Sequence, residues 1–151
     1  VQFIMAGTGQ MEAHLKDRAR GLPVQFPGYI SNEEHLDLLN AADIVVIPSR
    51  NEPFGLVLTE AWSAGRCVVA TDVGGLSENI DPFVDGIRVP VQPESIAWGI
   101  NYVIDDPRTI RELGRAGQRK VYARFDWDLV TDAALDVYRR ARALKGRQGT
   151  G

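Results

Sequence analysis

An α/β fold, with a parallel sheet flanked by helices, is predicted by three features of this sequence. Short apolar runs alternate with stretches of helical spacing along most of the chain, the pattern of repeated strand–helix units. Turn-forming clusters follow several of the runs, such as Gly7-Thr8-Gly9, Pro27-Gly28-Tyr29 and Gly74-Gly75. The 151 residues, 44% hydrophobic and 25% charged, are enough for one well-buried domain of ordinary composition.

Charge and cysteine usage narrow the function classes. A net charge of −3 gives no general attraction to nucleic acid or anionic membrane. The single Cys67 excludes an internal disulfide and fits a reducing, cytoplasmic compartment; at the head of an apolar run it reads as a buried small hydrophobe. Neither a transmembrane segment nor a signal peptide is expected. His14, His35 and Cys67 have no ligand spacing, which argues against a zinc site.

The chain opens on an apolar run, Val1 to Ala6, read as a buried strand of a longer polypeptide. Gly7-Thr8-Gly9 lacks the third glycine of a dinucleotide fingerprint, since Glu12 stands there, and is read as a tight strand-to-helix turn. Met11 to Arg20 is a predicted helix with Leu15 and Ala19 one turn apart. Val24 to Phe26 is a short strand. Ser31 and Glu34 have the spacing of a capping box, opening a helix whose Leu36, Leu39 and Ala42 face inward and whose His35 is exposed.

The most informative stretch follows the apolar run Asp43 to Ile47. It reads Pro48-Ser49-Arg50-Asn51-Glu52-Pro53-Phe54-Gly55-Leu56-Val57-Leu58-Thr59-Glu60-Ala61 and leads through Trp62 to the buried strand Cys67 to Ala70. Pro53 is preset for a first helical turn. Gly55 leaves the helix entrance bare, so a ligand can approach the backbone. Free N–H groups at such an entrance favour an anion, most naturally a phosphate.

Glu52 and Glu60, with Pro-Phe-Gly-Leu-Val after the first and Ala after the second, form E-x7-E. This resembles the donor-binding signature of retaining glycosyltransferases with two Rossmann-like domains, the GT-B group that includes glycogen and sucrose synthases. The resemblance implies that Glu52 faces the donor sugar and is the catalytic-site carboxylate. Backbone N–H groups over Phe54, Gly55, Leu56 and Val57 would meet the diphosphate, Pro53 would lie in the same donor-binding stretch, and Glu60 would bind the ribose hydroxyls. A carboxylate suits a ribose diol in other nucleotide folds. Six residues past Phe54, Glu60 is expected roughly 9 Å along the helix from it, at 1.5 Å per residue. Metal-independent transfer without a cofactor is also implied.

Other segments carry the same resemblance. Gly7-Thr8-Gly9 resembles the family's V-G-x-G turn, making Gly7 a candidate donor neighbour. Phe26 to Leu36 resembles F-x-G-Y-I-S-x-E-x-L. Gly74-Gly75-Leu76-Ser77-Glu78 resembles G-G-x-P-E with Ser77 in place of Pro; the paired glycines allow close approach to a ligand or simply a tight turn, and Glu78 either caps the helix entrance or lies at the sugar site. Asp85 to Val91 resembles the family's D-G strand, shortened and without its second Gly. Phe125-Asp126-Trp127-Asp128 resembles F-S/D-W-E.

Helices are predicted from Pro93 to Ile104, with Trp98 and Tyr102 in the core, and from Arg108 to Arg124, with its basic residues on a solvated face. A final helix carries Val130, Ala134, Val137, Tyr138, Ala141 and Leu144 on one stripe. The expected organisation is a donor-binding domain over 1–144, lacking its first strand and basic diphosphate pair, and a flexible tail over 145–151.

The expected function is donor binding in an enzyme that transfers a sugar from a nucleoside-diphosphate sugar to an acceptor hydroxyl. Its partners would be the donor and an N-terminal acceptor-binding domain of the same polypeptide, with no nucleic acid. Residues 1–151 alone are expected to be inactive. The alternatives are a phosphorylase-like or epimerase-like relative, or a non-catalytic nucleotide-sugar-binding module.

Overall fold

Every strand pairing in the structure, a computed structural model that describes residues 1–148, is parallel. The chain divides into two compact units, Val1–Ala41 and a second that starts at Ala42. Each unit has its own sheet.

The first unit holds β1 (Phe3–Ala6), α1 (Glu12–Arg18), β2 (Val24–Gly28) and α2 (Asn32–Ala41). Phe3 lies opposite Val24 and Ile4 opposite Gln25. The expectation of a buried first strand is corrected, because all of β1 is exposed. A two-stranded sheet offers too little surface to bury an apolar strand. The predicted capping box is present: the Ser31 N–H donates to Glu34 Oε2 at 2.7 Å and the Glu34 N–H donates to Ser31 Oγ at 3.2 Å. These bonds, the Ser31 backbone one first, hold the Glu34 carboxyl below the usual carboxylate range. Leu39 is buried as predicted, but Leu36 is exposed and His35 partly buried.

The second unit holds β3 (Ile44–Ile47), α3 (Leu56–Ser63), β4 (Cys67–Thr71), α4 (Gly74–Asn79), β5 (Ile87–Val89), α5 (Pro93–Ile104), α6 (Pro107–Arg124) and α7 (Trp127–Gln148). The sheet order is β3-β4-β5, so β4 is central and all five of its residues are buried. A near-continuous apolar strand is what a parallel sheet covered on both faces requires. Cys67 belongs to it, and burial pushes its thiol up to about 12, leaving an inert hydrophobe.

One side of the sheet packs Cys67, Val69, Ile87 and Val89 against Val103 of α5 and Leu113 of α6. Gly99 permits this contact, since a Cβ there would lie 2.9 Å from the Val69 side chain and 3.0 Å from that of Val89. Against the sheet, α3 contributes Leu58, Ala61 and Trp62, all fully buried. Asp106 caps α6 by accepting from the N–H groups of Arg108 and Thr109.

Two further expectations change. Trp98 and Tyr102 are half exposed rather than core residues, and they cluster with Phe83 through ring centroids 5.4–6.5 Å apart. Helix α7 continues through Gln148, so the first part of the expected tail over 145–151 is helical. Residues 149–151 lie outside the described part. On α7 the predicted apolar stripe exists but is exposed at Val130, Val137, Tyr138 and Leu144.

Candidate functional site

Adjacent parallel strands deliver their carboxyl ends side by side. Ile47 of β3 lies opposite Ala70 of β4, so the loop after Ile47 and the turn after Thr71 emerge together. Ligand sites in open α/β sheets form at this edge. The Glu52–Gly55 stretch and the Gly74-Gly75 pair both fall here.

The first loop, residues 48–55, is built around Glu52. Its carboxylate is half-buried; Oε1 accepts from the Gly55 N–H at 3.0 Å, and Ser49 Oγ lies 3.5 Å from Oε2. Gly55 adopts φ 99°, a left-handed conformation natural to glycine, and is the N-cap of α3. Pro53 therefore lies in the loop and does not begin the helix. The helix starts at Leu56 because the left-handed Gly55, tied to Glu52, interrupts any earlier turn. This shortens the distance reasoned for Glu60: it lies four residues past Leu56, about 6 Å along the axis. Glu60 is exposed.

At the helix entrance the N–H groups of Leu56 and Val57 have no acceptor among the described residues, whereas those of Leu58 and Thr59 donate to the Gly55 carbonyl. The Gly55 amide, by contrast, is taken by Glu52. Leu56 and Val57 are exposed. The Phe54 ring packs edge-to-face on Phe125, with centroids 5.7 Å apart, which fixes the loop on one side.

The second loop locks onto the first. A Cβ at Gly74 would lie 2.1 Å from the Glu52 carbonyl oxygen, and one at Gly75 would lie 2.3 Å from that of Phe54. The Gly75 N–H donates to the Glu52 carbonyl at 2.8 Å. Close approach is thus what the paired glycines provide, and the partner they approach is the Glu52–Phe54 backbone. Glu78 sits in the C-terminal half of α4, whose N-cap is Val73, so it does not cap that helix entrance. It is exposed. The Ser77 hydroxyl donates to Asp72, and Arg88 both pairs with Asp72 at 3.3 Å and donates to the Ser77 carbonyl. These contacts hold the turn where the family pattern has a proline.

Gly7 belongs to the first unit. Its φ is 113° and its N–H donates to the Gly28 carbonyl at 2.7 Å, the geometry of the tight turn read from the sequence. Sequence reasoning missed Thr71 and Asn79, which bond the Glu52 loop from beneath. A hydroxyl closing an all-apolar run was the signal available for Thr71; nothing distinguished Asn79. A cavity of about 350 Å³, lined by Phe83, Tyr102, Glu112 and Arg119 among others, lies apart from the motif loops. Phe83 precedes β5, so this cavity is at the amino ends of the strands, away from the carboxyl edge.

The family profile described as "Glycosyl transferases group 1" matches residues 1–120. The chain belongs to this family. An uncharacterized glycosyltransferase of Methanocaldococcus jannaschii is 38% identical to it over 151 residues, covering 97% of this chain and 39% of that protein. Glycogen synthase of Mycobacterium tuberculosis is 36% identical over 143 residues, covering 91% of this chain and 34% of the relative. This group 1 chain therefore spans between a third and two fifths of the length of these relatives.

Solved structures agree. Sucrose-phosphate synthase from Thermosynechococcus elongatus superposes with a TM-score of 0.85 at 32% identity, over 95% of this chain and 39% of that one. Anabaena Alr3699/HepE in complex with UDP gives 0.82 at 26% identity, over 93% and 41%. The group 1 glycosyl transferase chain thus has the Rossmann-like α/β fold of GT-B glycosyltransferases. None of its described helices is long and apolar enough to cross a membrane.

Proposed function

We propose that this chain is the donor-binding part of a retaining glycosyltransferase that moves a sugar from a nucleoside-diphosphate sugar to an acceptor hydroxyl. The observation that carries the proposal is the α3 entrance: two N–H groups, Leu56 and Val57, open at the carboxyl edge beside the Glu52 carboxylate. Two such amides and the helix dipole suit a diphosphate. Membership of the group 1 family and the UDP complex of the Anabaena relative support the same donor class.

In this reading the Leu56 and Val57 amides bind the departing diphosphate, and their fixed dipoles stabilise the charge that develops on it. Glu60 accepts from the ribose hydroxyls. Glu52 orients the donor sugar through the carboxylate oxygen that Gly55 does not hold; it is not assigned as a general base. Front-face transfer, without metal or cofactor, occurs in a cleft closed by an N-terminal acceptor-binding domain. A cytoplasmic location fits the free Cys67 thiol.

Calorimetry of the longer polypeptide with UDP-, ADP- and GDP-sugars tests donor binding. Product analysis by NMR tests transfer and retention of the anomeric configuration, and EDTA tests metal independence. Binding of one donor class with turnover in the longer polypeptide, and none by residues 1–151, is expected. Donor binding without turnover in the longer polypeptide identifies a binding module instead. No nucleotide binding overturns the reading.

Glu60→Gln keeps the fold and weakens nucleoside-diphosphate binding by about 1.5–3 kcal/mol, the cost of a charge-assisted hydrogen bond. Unchanged affinity removes Glu60 from the site.

A further inference from the structure

We propose that Thr71 and Asn79 are positioning residues of the donor loop, acting on it through backbone carbonyls rather than by touching the donor. The inference rests on reading residues 48–55 as part of the donor site.

Three hydrogen bonds rise from the segment between the end of β4 and the end of α4. Thr71 Oγ1 lies 2.6 Å from the Ser49 carbonyl oxygen and 3.3 Å from that of Ile47. A hydroxyl has one hydrogen to donate, and the shorter distance assigns it to Ser49. The Gly75 N–H holds the Glu52 carbonyl. Asn79 Nδ2 donates to the Phe54 carbonyl at 3.3 Å. The loop is therefore fixed at three carbonyls, Ser49, Glu52 and Phe54.

The consequence is directional. A loop residue whose carbonyl is held has its peptide plane fixed, and with it the neighbouring N–H and side chain. Holding Ser49 places its Oγ near Glu52 Oε2, and holding Glu52 and Phe54 on either side of Pro53 lets Glu52 Oε1 reach the Gly55 N–H. Those contacts set where the free side of the Glu52 carboxylate points and where α3 begins. Thr71 is fully buried at the end of the central strand, the most constrained part of the sheet, so it ties the loop to a rigid base.

In the longer polypeptide, Thr71→Val keeps the shape and removes the hydroxyl, Thr71→Ser keeps the hydroxyl, and Asn79→Ala removes the second bond. UDP, ADP and GDP are titrated into each variant, and KM for donor and for acceptor is measured with the nucleotide sugar that turns over. Thr71→Val is expected to weaken nucleotide binding about threefold to tenfold, the size of one neutral hydrogen bond. Donor KM should rise in step while acceptor KM stays put, and Thr71→Ser should restore both affinity and donor KM. Asn79→Ala, at a partly exposed residue, should show the same split with a smaller change. A purely structural role would lower the denaturation midpoint and move both KM values together, and that result overturns the proposal. So does wild-type donor affinity in Thr71→Val and Asn79→Ala; should Thr71→Val fail to fold, Asn79→Ala decides. An unsubstituted protein that binds none of the three nucleotides overturns the donor reading itself, a distinguishable failure.

Discussion

Replacing Trp62 by alanine lowers the stability of the second unit by about 3–5 kcal/mol, the range for deleting a large aromatic side chain from a packed core. The ring is fully buried on α3. Its Nε1 donates to the Asp85 carbonyl at 2.9 Å, so its one polar atom is satisfied. Helix α6 is fitted to the ring at Gly117, where an added Cβ would lie 2.0 Å from the indole. Lys120, one turn further along, places its Nζ 5.3 Å from the ring centroid while pairing with Asp81 at 2.8 Å and Asp85 at 2.7 Å. Those Lys120 contacts, its hydrogen bond first, hold the Asp81 carboxyl below its ordinary range. Removing the indole thus opens a cavity between α3 and α6, strips the Asp85 carbonyl of a donor and takes the aromatic face from a largely buried cation. Urea denaturation followed by circular dichroism measures the loss. A midpoint equal to that of the unsubstituted protein would show that the ring contributes no net packing energy.

The sequence disclosed most where the determinants are local. The capping box at Ser31 and Glu34 spans three residues and appears as read. Helix α6 begins at Pro107, one residue before the predicted Arg108, because Asp106 and Pro107 encode a helix start by themselves. The strand Cys67 to Ala70 announced its burial through an unbroken apolar run. What failed depended on partners distant in sequence. Val1 to Ala6 is as apolar as a core strand, yet its exposure is decided by what packs on it. Trp98 and Tyr102 have helical spacing suited to a core face, but Gly99 and Val103 are the buried residues of that helix. At the site, Glu52 lies on a loop and Glu60 on a helix as read, whereas the helix begins three residues later than the Pro53 expected to open it, with Gly55 as its N-cap. The motif did not disclose that Glu52 caps Gly55, although a carboxylate three residues before a helix-entrance glycine carries that information. Nor did it show that Gly74-Gly75 serves to seat the Glu52 loop, because that contact joins residues more than twenty apart.

Gly75→Ala is expected to lower donor turnover on the order of a hundredfold while the fold is retained. The added methyl would lie 2.3 Å from the Phe54 carbonyl oxygen, 2.5 Å from its Cα and 2.6 Å from its carbonyl carbon. All three are backbone atoms, so no rotamer change relieves the clash, and the Glu52–Phe54 loop must move by roughly 1 Å to reach ordinary contact distances. Moving it lengthens the hydrogen bond from the Gly75 N–H to the Glu52 carbonyl and carries Glu52 and the α3 entrance with it. The core residues Val69, Ile87 and Val103 lie on elements other than α4, so overpacking here is expected to cost about 1–3 kcal/mol. The site is affected directly, because displacement of about 1 Å in a positioning element can lower a rate on the order of a hundredfold. In the longer polypeptide, kcat/KM for the donor should fall by about that factor while the circular dichroism spectrum keeps its α/β form. Gly74→Ala, with φ 43° and a Cβ 2.1 Å from the Glu52 carbonyl oxygen, should act in the same direction for two reasons, steric and conformational. Full donor turnover in Gly75→Ala would mean that the loop accommodates the methyl without moving Glu52, and that the glycine pair is not what sets its position.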